Sequence, residues 1–286
     1  MKNKILVTGA TGFLGRHLVA ALESQGRVVR AHSSRDGDIA NCTLSMEGVS
    51  HVFHLAGKSY VPESWQNPQA FYHTNVMGTV NVLEHCRRNQ ASLTLVSSYV
   101  YGQPQRLPIA EDHPLSAVNP YAHTKILAEE TARFYEQRFG LALAIVRPFN
   151  IYGPGQRPSF LIPSIVRQAL DPSQAEVRVA DLRPKRDYLY VGDAVMLLLA
   201  TLRPGAHGVY NLGSGRSVSV AEVAQLVNHA AGVSKPVVSA DEPRPGEILD
   251  VVADTSRAAA ELGWQPRTSL ADGIAAVVAA ERTTRG

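Results

Sequence analysis

Tyr121 and Lys125 are the two residues of this 286-residue chain whose types and spacing point most directly to chemistry. They stand four positions apart, so in a helix their side chains lie on one face, one turn from each other. A free tyrosine titrates near pH ~10, and an ammonium one turn away favours its phenolate and brings its pKa closer to neutrality. Such a tyrosine can act as a general acid or base. The same pair also fits a surface aromatic residue beside a solvated lysine, and the heptapeptide alone leaves both interpretations open.

The residues around this pair predict the helix that would present it. Asn119 is a suitable N-cap, and Pro120 suits the first helical position. We expect the helix to run to Phe139 and to end at Gly140. Residues at i and i+4 would then be stacked near its amino end.

Two adjacent serines precede this helix at the end of a predicted strand. The apolar run Leu93–Val96 predicts a buried strand, and Ser97 and Ser98 follow it directly. Open α/β sheets bind their ligands at the carboxyl ends of the strands. The serines are therefore candidates for contact with a ligand.

A glycine-rich turn near the start of the chain predicts a dinucleotide site. The strand Lys4–Thr8 runs into Gly9-Ala-Thr-Gly12-Phe-Leu-Gly15, and Arg16–Gln25 has helical periodicity. Glycines let the backbone approach a pyrophosphate, and the amino end of the helix favours its charge. The spacing is GxxGxxG rather than GxGxxG, and its context of strand and helix supports nucleotide binding. The predicted cofactor contacts here are Gly9, Thr11, Gly12, Phe13, Leu14 and Gly15.

The residues after the second strand bear on the choice between NAD and NADP. In NAD-selective folds an acidic residue commonly follows this strand and holds the ribose 2′-hydroxyl. Here the predicted strand Arg27–Ala31 runs into a segment that contains Ser33 and Arg35, and Asp36 comes only later. Hydroxyls and a guanidinium suit a 2′-phosphate, so we favour NADP and keep NAD as the alternative. A solvated loop in which Arg35 contacts nothing would also fit.

Strands alternate with helices along the first half, which predicts an α/β fold: a Rossmann-type doubly wound parallel sheet. After about residue 155 the pattern loosens, and we expect a smaller C-terminal α/β substrate domain. The predicted dinucleotide-binding domain comprises residues 1–155 plus about 187–215, and the substrate domain comprises about 156–186 plus 216–286. The predicted strands lie at 4–8, 27–31, 51–55, 93–96, 141–146, 176–179, from 188 and 209–212, with helices at 16–25, about 68–88, 120–139, 160–170, to 202, 220–231, 256–262 and 270–282.

Composition and charge exclude several classes of protein. The chain is 45% hydrophobic with a net charge of +3 and without a block of like charge, which argues against nucleic acid and anionic membranes as partners. The apolar runs are too short for a signal segment or a membrane span. Cys42 and Cys86 have neither metal nor redox spacing and fit a reduced, cytoplasmic protein. No metal site is predicted, because His54, His73, His113 and His123 lack ligand spacing.

Taken in order, the glycine turn, Ser97 at a strand end and Tyr121-x-x-x-Lys125 resemble the extended short-chain dehydrogenase/reductase family, in its nucleotide-sugar branch. The resemblance covers essentially the whole chain. Further matching landmarks are Val100-Tyr-Gly102, Arg147-Pro-Phe-Asn150, Arg186-Asp-Tyr188, Tyr210-Asn-Leu-Gly213 and Arg244-Pro-Gly-Glu247.

The resemblance implies roles for the candidate residues. Tyr121 would pass a proton to or from a sugar oxygen while a hydride moves to or from NADP or NAD. Lys125 would lower the pKa of Tyr121 and hold the nicotinamide ribose. Counting back from Gly102, the family's catalytic serine or threonine falls on Ser97, which would hydrogen-bond the reacting oxygen, and Ser98 competes for that role.

The resemblance also implies contacts with both ligands. Arg186 and Arg244 would clamp a sugar diphosphate with their guanidinium forks, beside Asn150. The alternatives are a salt bridge between Arg186 and Asp187 and a solvated Arg244. Ser98 and Phe160 complete the predicted substrate contacts. The remaining predicted cofactor contacts are Asp38 and Ile39 at the adenine, Leu55, Ala56, Gly57, Asn75 and Pro148.

Departures from the family patterns reduce the number of reactions that this chain could catalyse. Sugar 4,6-dehydratases carry acidic residues where this chain has Ser98 and Tyr99. The epimerase–reductases that make fucose carry a cysteine and a histidine where this chain has Tyr99 and Gly155. Two activities remain: reduction of GDP-4-keto-6-deoxymannose, which we favour because no acid follows the second strand, and 4-epimerisation of a UDP- or dTDP-hexose with bound NAD. A nucleotide-sensing protein without turnover is a third alternative. The resemblance also implies that the protein is a homodimer.

Overall fold

A six-stranded parallel sheet in the order β2-β1-β3-β4-β5-β9 forms the centre of the protein. The computed structural model describes residues 4–242 and 247–285. The strands are β1 (Lys4–Thr8), β2 (Val28–His32), β3 (Val49–His54), β4 (Ser92–Val96), β5 (Leu143–Pro148), β6 (Asn150–Tyr152), β7 (Val177–Val179), β8 (Lys185–Tyr190), β9 (Gly208–Leu212), β10 (Ser217–Ser219) and β11 (Val237–Ser239). The helices are α1 (Phe13–Ser24), α2 (Val61–Gln66), α3 (Pro68–Phe71), α4 (Gly78–Asn89), α5 (Pro120–Phe139), α6 (Leu161–Leu170), α7 (Val191–Ala200), α8 (Val220–Ala231), α9 (Ser256–Leu262) and α10 (Leu270–Arg285), with a π-helical turn at Tyr72–Met77.

Helices cover both faces of this sheet, which explains why its central strands read as nearly continuous apolar runs. Leu18 and Leu22 of α1 pack in one core with Leu198 of α7. Val82 of α4 and Ala132 of α5 pack in the core on the other side. The strand order changes direction between β1 and β3, so a ligand crevice is expected at the carboxyl ends of these strands. The predicted doubly wound α/β fold is confirmed.

A third core lies in the C-terminal part of the chain. It is built from α6, α8 and α10, with Ile165, Val223 and Ile274 fully buried. Two small sheets accompany it, in the orders β10-β8-β6 and β11-β7. Strand β9 belongs to the six-stranded sheet, whereas β8 belongs to one of the small sheets. The residue ranges of the two domains stay a prediction. In the described residues, 4–242 and 247–285, no helix is long and apolar enough to cross a membrane.

Several local predictions were wrong in extent or type. The predicted helix at 68–88 is α3, the π-helical turn and α4 in succession, because a wider turn inside a helix leaves little trace in apolar periodicity. The strand predicted at 141–146 is β5, which starts two residues later and continues to Pro148. The second strand is β2, displaced by one residue from its predicted bounds. The elements missed altogether are short: α2, β6, β10 and β11.

Candidate active site

The glycine turn fills the space between β1 and β3 so closely that side chains are excluded. Gly9 has φ +70°, and a Cβ there would lie 2.7 Å from the backbone nitrogen of Ala56. A Cβ on Gly15 would overlap the Gly9 carbonyl. Gly12 is the N-cap of α1 and supplies no side-chain acceptor to the N–H groups of the first turn. A backbone cradle at a helix amino end fits the pyrophosphate of NAD(P).

The predicted contacts around this turn lie at the same sheet edge. Thr11 is exposed and Phe13 and Leu14 are half-buried at the start of α1. Leu55, Ala56 and Gly57 follow β3, and the backbone of Leu55 and Ala56 borders the turn. Their contact with the cofactor stays a prediction. Pro148 is the half-buried last residue of β5.

Ser33, predicted to contact the 2′-phosphate of NADP, donates its hydrogen bonds to a carboxylate of this chain. The backbone N–H and the hydroxyl of Ser33 both donate to one oxygen of Asp36, each at 2.8 Å. These bonds lower the pKa of Asp36. Arg35 is exposed. An acidic residue, Asp36, therefore does lie beside the end of β2. It is the fourth residue after the strand rather than the first.

The predicted adenine contacts differ from each other in their surroundings. Asp38 is exposed and pairs with His73 at 2.8 Å. Ile39 is buried in the core, where its side chain faces Gly78 at the start of α4.

Helix α5 presents Tyr121 and Lys125 as predicted. The Asn119 carboxamide caps it by accepting from the N–H of Ala122 at 2.8 Å, and Gly140 ends it with φ +66°. Lys125 is buried, and its Nζ donates to the carbonyl oxygen of Val96 at 2.7 Å. Val96 is the last residue of β4, so the ammonium lies directly beside the two serines.

The predicted effect of Lys125 on the tyrosine is not found. Burial raises the pKa of Tyr121, and a hydrogen bond with the Ser98 side chain opposes this shift. Burial lowers the pKa of Lys125 to about 8, and the charge of Glu129 opposes that shift. Burial is the largest cause of the raised Tyr121 pKa, and the Lys125 ammonium donates to the Val96 carbonyl.

The structure distinguishes the two serines. Ser98 is half-buried and hydrogen-bonds Tyr121. Ser97 is buried, and its hydroxyl is among the few buried side-chain polar atoms of the described residues without a hydrogen-bond partner. A buried unpaired hydroxyl at a strand end marks a position where a ligand oxygen could bind.

Asn75, predicted to contact the cofactor, hydrogen-bonds two other segments of the site. It is buried in the π-helical turn, and its Oδ1 accepts from the N–H of Lys58 at 2.8 Å. Its Nδ2 donates to the Lys58 carbonyl at 3.1 Å and to the Thr124 hydroxyl at 2.9 Å. The turn after β3 is thereby joined to α5 next to Lys125.

The predicted substrate residues lie on the second half of the chain. Arg186 forms an ion pair with Glu247 and donates to the Ile248 carbonyl at 2.6 Å. Asp187 is fully buried and accepts from backbone N–H groups, so the alternative salt bridge between Arg186 and Asp187 is not formed.

The other predicted substrate residues are placed as follows. Asn150 donates to the Asp187 carbonyl at 3.2 Å. Phe160 is 43% exposed at the start of α6. Arg244 lies outside the described residues.

Sequence reasoning missed a buried ion pair behind the site. Glu129 on α5 and Arg147 on β5 are each 1% exposed in their side chains, and their closest atoms are 2.6 Å apart. The sequence did contain a signal for this pair, because Arg147 lies inside an otherwise apolar strand and a buried arginine needs a buried partner.

The comparisons with known proteins agree with this geometry. The sequence model of the "NAD dependent epimerase/dehydratase family" matches residues 5–213. A UDP-glucose 4-epimerase of Azospirillum brasilense is 31% identical over 95% of this chain and 89% of its own length. A GDP-6-deoxy-D-mannose reductase of Pseudomonas aeruginosa is 32% identical over 97% of both chains. The solved structure of RMD from Pseudomonas aeruginosa complexed with NADPH superposes with a TM-score of 0.90 at 30% identity, covering 99% of both chains.

The doubly wound sheet, the glycine turn and the tyrosine–lysine pair together define an NAD(P)-dependent enzyme of the extended short-chain dehydrogenase/reductase type. The chain belongs to the NAD dependent epimerase/dehydratase family. The resemblance inferred from the motifs is thus confirmed.

Proposed function

We propose that this chain moves a hydride to or from C4 of a nucleotide-diphosphate hexose while Tyr121 passes a proton to or from the sugar oxygen. One observation carries the proposal: Tyr121, Lys125 and the serine pair meet at the carboxyl end of β4, on the sheet edge that holds the glycine turn. NAD(P) supplies or accepts the hydride when bound. The names of the two relatives, an epimerase and a reductase of nucleotide sugars, support the substrate class.

Each polar residue of the site has a proposed role. Ser98 orients Tyr121 and holds its hydroxyl by a hydrogen bond. Ser97 donates its unpaired hydroxyl to the reacting sugar oxygen. The Lys125 ammonium holds the nicotinamide ribose, and Arg186 and Arg244 bind the diphosphate.

Tyr99 supports chemistry that is confined to C4. It stands where relatives with dehydratase or C5 chemistry carry an acid or a thiol. Its hydroxyl donates to the Gly102 carbonyl at 2.5 Å, and burial raises its pKa to about 12. Its ring packs edge-on against Tyr101 and Phe149. A phenol fixed in this way is a poor proton acceptor for a second carbon centre.

Between the two C4 reactions we favour reduction of a 4-keto-6-deoxyhexose of the GDP-4-keto-6-deoxymannose type. The segment His54–Glu63, Gln156 and Phe160 resemble that reductase, and the reductase from Pseudomonas aeruginosa supports it. 4-Epimerisation is the second candidate. Asp36 favours it, because a carboxylate on Ser33 suits the 2′-hydroxyl of NAD better than the 2′-phosphate of NADP.

Product analysis separates these activities. The purified protein is given GDP-4-keto-6-deoxymannose with NADPH and, separately, UDP-glucose without added cofactor, and products are identified by NMR. The reductase predicts one NADPH consumed per sugar reduced. Interconversion of UDP-glucose and its C4 epimer without net oxidation would establish the epimerase instead, and no reaction with either would contradict both assignments.

We also infer a homodimer formed by α4 and α5. Phe134 and Phe139 on α5 are 53% and 50% exposed, and apolar rings of this size favour a partner surface. Sedimentation velocity of wild type and Phe134→Lys measures this. The wild type should sediment as a dimer and the variant as a monomer, and a wild-type monomer at micromolar concentration would refute the inference.

A further inference from the structure

The buried carboxylate of Glu129 lies one helical turn beyond Lys125 on α5. Its position is fixed by Arg147, whose Nε and Nη2 donate to the two carboxylate oxygens at 3.0 and 2.6 Å. Such a two-point guanidinium–carboxylate pair restricts orientation as well as distance. Arg133 on α5 adds a longer contact of 3.3 Å from its half-exposed side. The carboxylate is therefore held in place one helical turn from Lys125.

Arg147 is itself held by a polar network. Its Nη1 donates to the Tyr101 hydroxyl at 3.0 Å and to the Glu111 carbonyl at 3.1 Å. Tyr101 in turn donates to the Asn211 side chain at 2.5 Å. This network joins α5 to β5 and β9, so the location of the Glu129 charge is set by the main sheet.

The charges around Lys125 are unbalanced without Glu129. Lys125 and Arg147 are two buried cations, and Tyr121 on α5 is a neutral phenol. His54 on β3 stays neutral, because burial lowers its pKa to about 3. Among the described groups that face Lys125, Glu129 supplies the opposing negative charge, and it acts against the burial that lowers the Lys125 pKa to about 8.

We propose that Glu129 is a positioning residue of the site, whose carboxylate, fixed by Arg147, keeps the Lys125 ammonium charged for its contact with the nicotinamide ribose. This inference rests on the role of Lys125 in the proposed function. A buried ion pair contributes little net stability compared with apolar residues, so a pair that served folding alone has no need to lie beside Lys125.

The test measures NADPH affinity by fluorescence between pH 7 and 10 in four proteins: wild type, Glu129→Gln, Glu129→Gln/Arg147→Met, and Glu130→Gln. Wild-type affinity should fall above about pH 8, where Lys125 loses its proton. In both proteins that lack Glu129 the midpoint should fall by about one pH unit, the effect expected for removal of a nearby opposite charge. Glu130 is the exposed neighbour on the same helix, so its variant should match wild type. A fifth protein, Glu129→Asp, keeps the carboxylate and should have a midpoint close to that of wild type.

The double variant guards against misfolding, because Glu129→Gln alone leaves the Arg147 charge buried without its partner. An unchanged midpoint in the double variant would overturn the inference and leave the pair a structural role. Titration of Lys125 by NMR of isotopically methylated lysines measures the same shift without cofactor. If wild-type affinity shows no alkaline loss while the Lys125 titration still moves in the variants, the proposed role of Lys125 fails and its coupling to Glu129 stands.

Discussion

At the residue scale, the site combines groups whose positions the sequence predicts with contacts that only the fold determines. Tyr121 and Lys125 follow from a seven-residue pattern, because i,i+4 spacing on a capped helix admits one arrangement. The different contacts of Ser97 and Ser98 do not follow from the sequence pattern, because adjacent residues at a strand end point in different directions. The Asp36 contact with Ser33 depends on a loop that folds back, and periodicity carries no signal for it.

Replacing Asp36 by Asn should shift cofactor preference towards NADPH. The substitution removes a negative charge from the two Ser33 donors, which a 2′-phosphate could then use. We expect the ratio of kcat/KM for NADPH over NADH to rise about tenfold, equivalent to about 1.4 kcal/mol. Glu47→Gln removes an exposed carboxylate from the loop before β3 and serves as the control. An unchanged ratio in Asp36→Asn would show that this carboxylate plays no part in cofactor choice.

At the scale of elements, β1, β3, β4 and α5 converge on one sheet edge, and the Asn75 side chain links the turn after β3 to α5. The strand–helix alternation predicted this convergence, since parallel strands end at a common edge. The π-helical turn that places Asn75 between Lys58 and Thr124 could not be predicted, because it depends on these tertiary hydrogen bonds. The short strands β6, β10 and β11 were missed for a related reason. Three residues show no clear period, and pairing partners decide their structure.

Asn75→Ala should destabilise the protein by about 2–4 kcal/mol, because it removes three hydrogen bonds that the buried Asn75 side chain makes with Lys58 and Thr124. Urea denaturation gives this value, and NADPH binding should weaken in parallel as α5 loses its link to the turn. Asn41→Ala, at an exposed position, should change neither quantity. Equal stability of Asn75→Ala and wild type would mean that the three hydrogen bonds do not hold these elements together.

At the scale of the whole molecule, two cores lie on the two faces of the six-stranded sheet, and a third joins α6, α8 and α10 near the predicted diphosphate arginine Arg186. The apolar pattern predicted the helices of these regions, and α8 and α9 match their predicted bounds in full. The ion pair of Arg186 with Glu247 was beyond sequence reasoning, since its members are 61 residues apart in the chain.

Two buried histidines of the main sheet should make the fold sensitive to mild acid. Burial lowers the pKa of His51 and of His54 from 6.5 to about 3 in the folded chain. Between these values the unfolded chain binds more protons, so the free energy of unfolding falls as the pH drops through 6.5. The slope reaches at most about 1.4 kcal/mol per pH unit for each histidine.

Urea denaturation at pH 7.5, 6.5 and 5.5 measures this slope in a range above the carboxylate titrations. In His51→Gln the slope should fall by about half, because one of the two imidazoles whose pKa burial lowers to about 3 is gone. A pH-independent free energy of unfolding between 7.5 and 5.5 in wild type would show that the histidines are not buried in their neutral form.

The central claim is that the Tyr121 hydroxyl transfers the proton, and Tyr121→Phe tests it most directly. The variant keeps the ring and removes one oxygen, so the NADPH dissociation constant should stay within about twofold of wild type. Turnover of the nucleotide sugar identified by product analysis should fall by a factor of about 10²–10⁴. Wild-type turnover in Tyr121→Phe would contradict the mechanism.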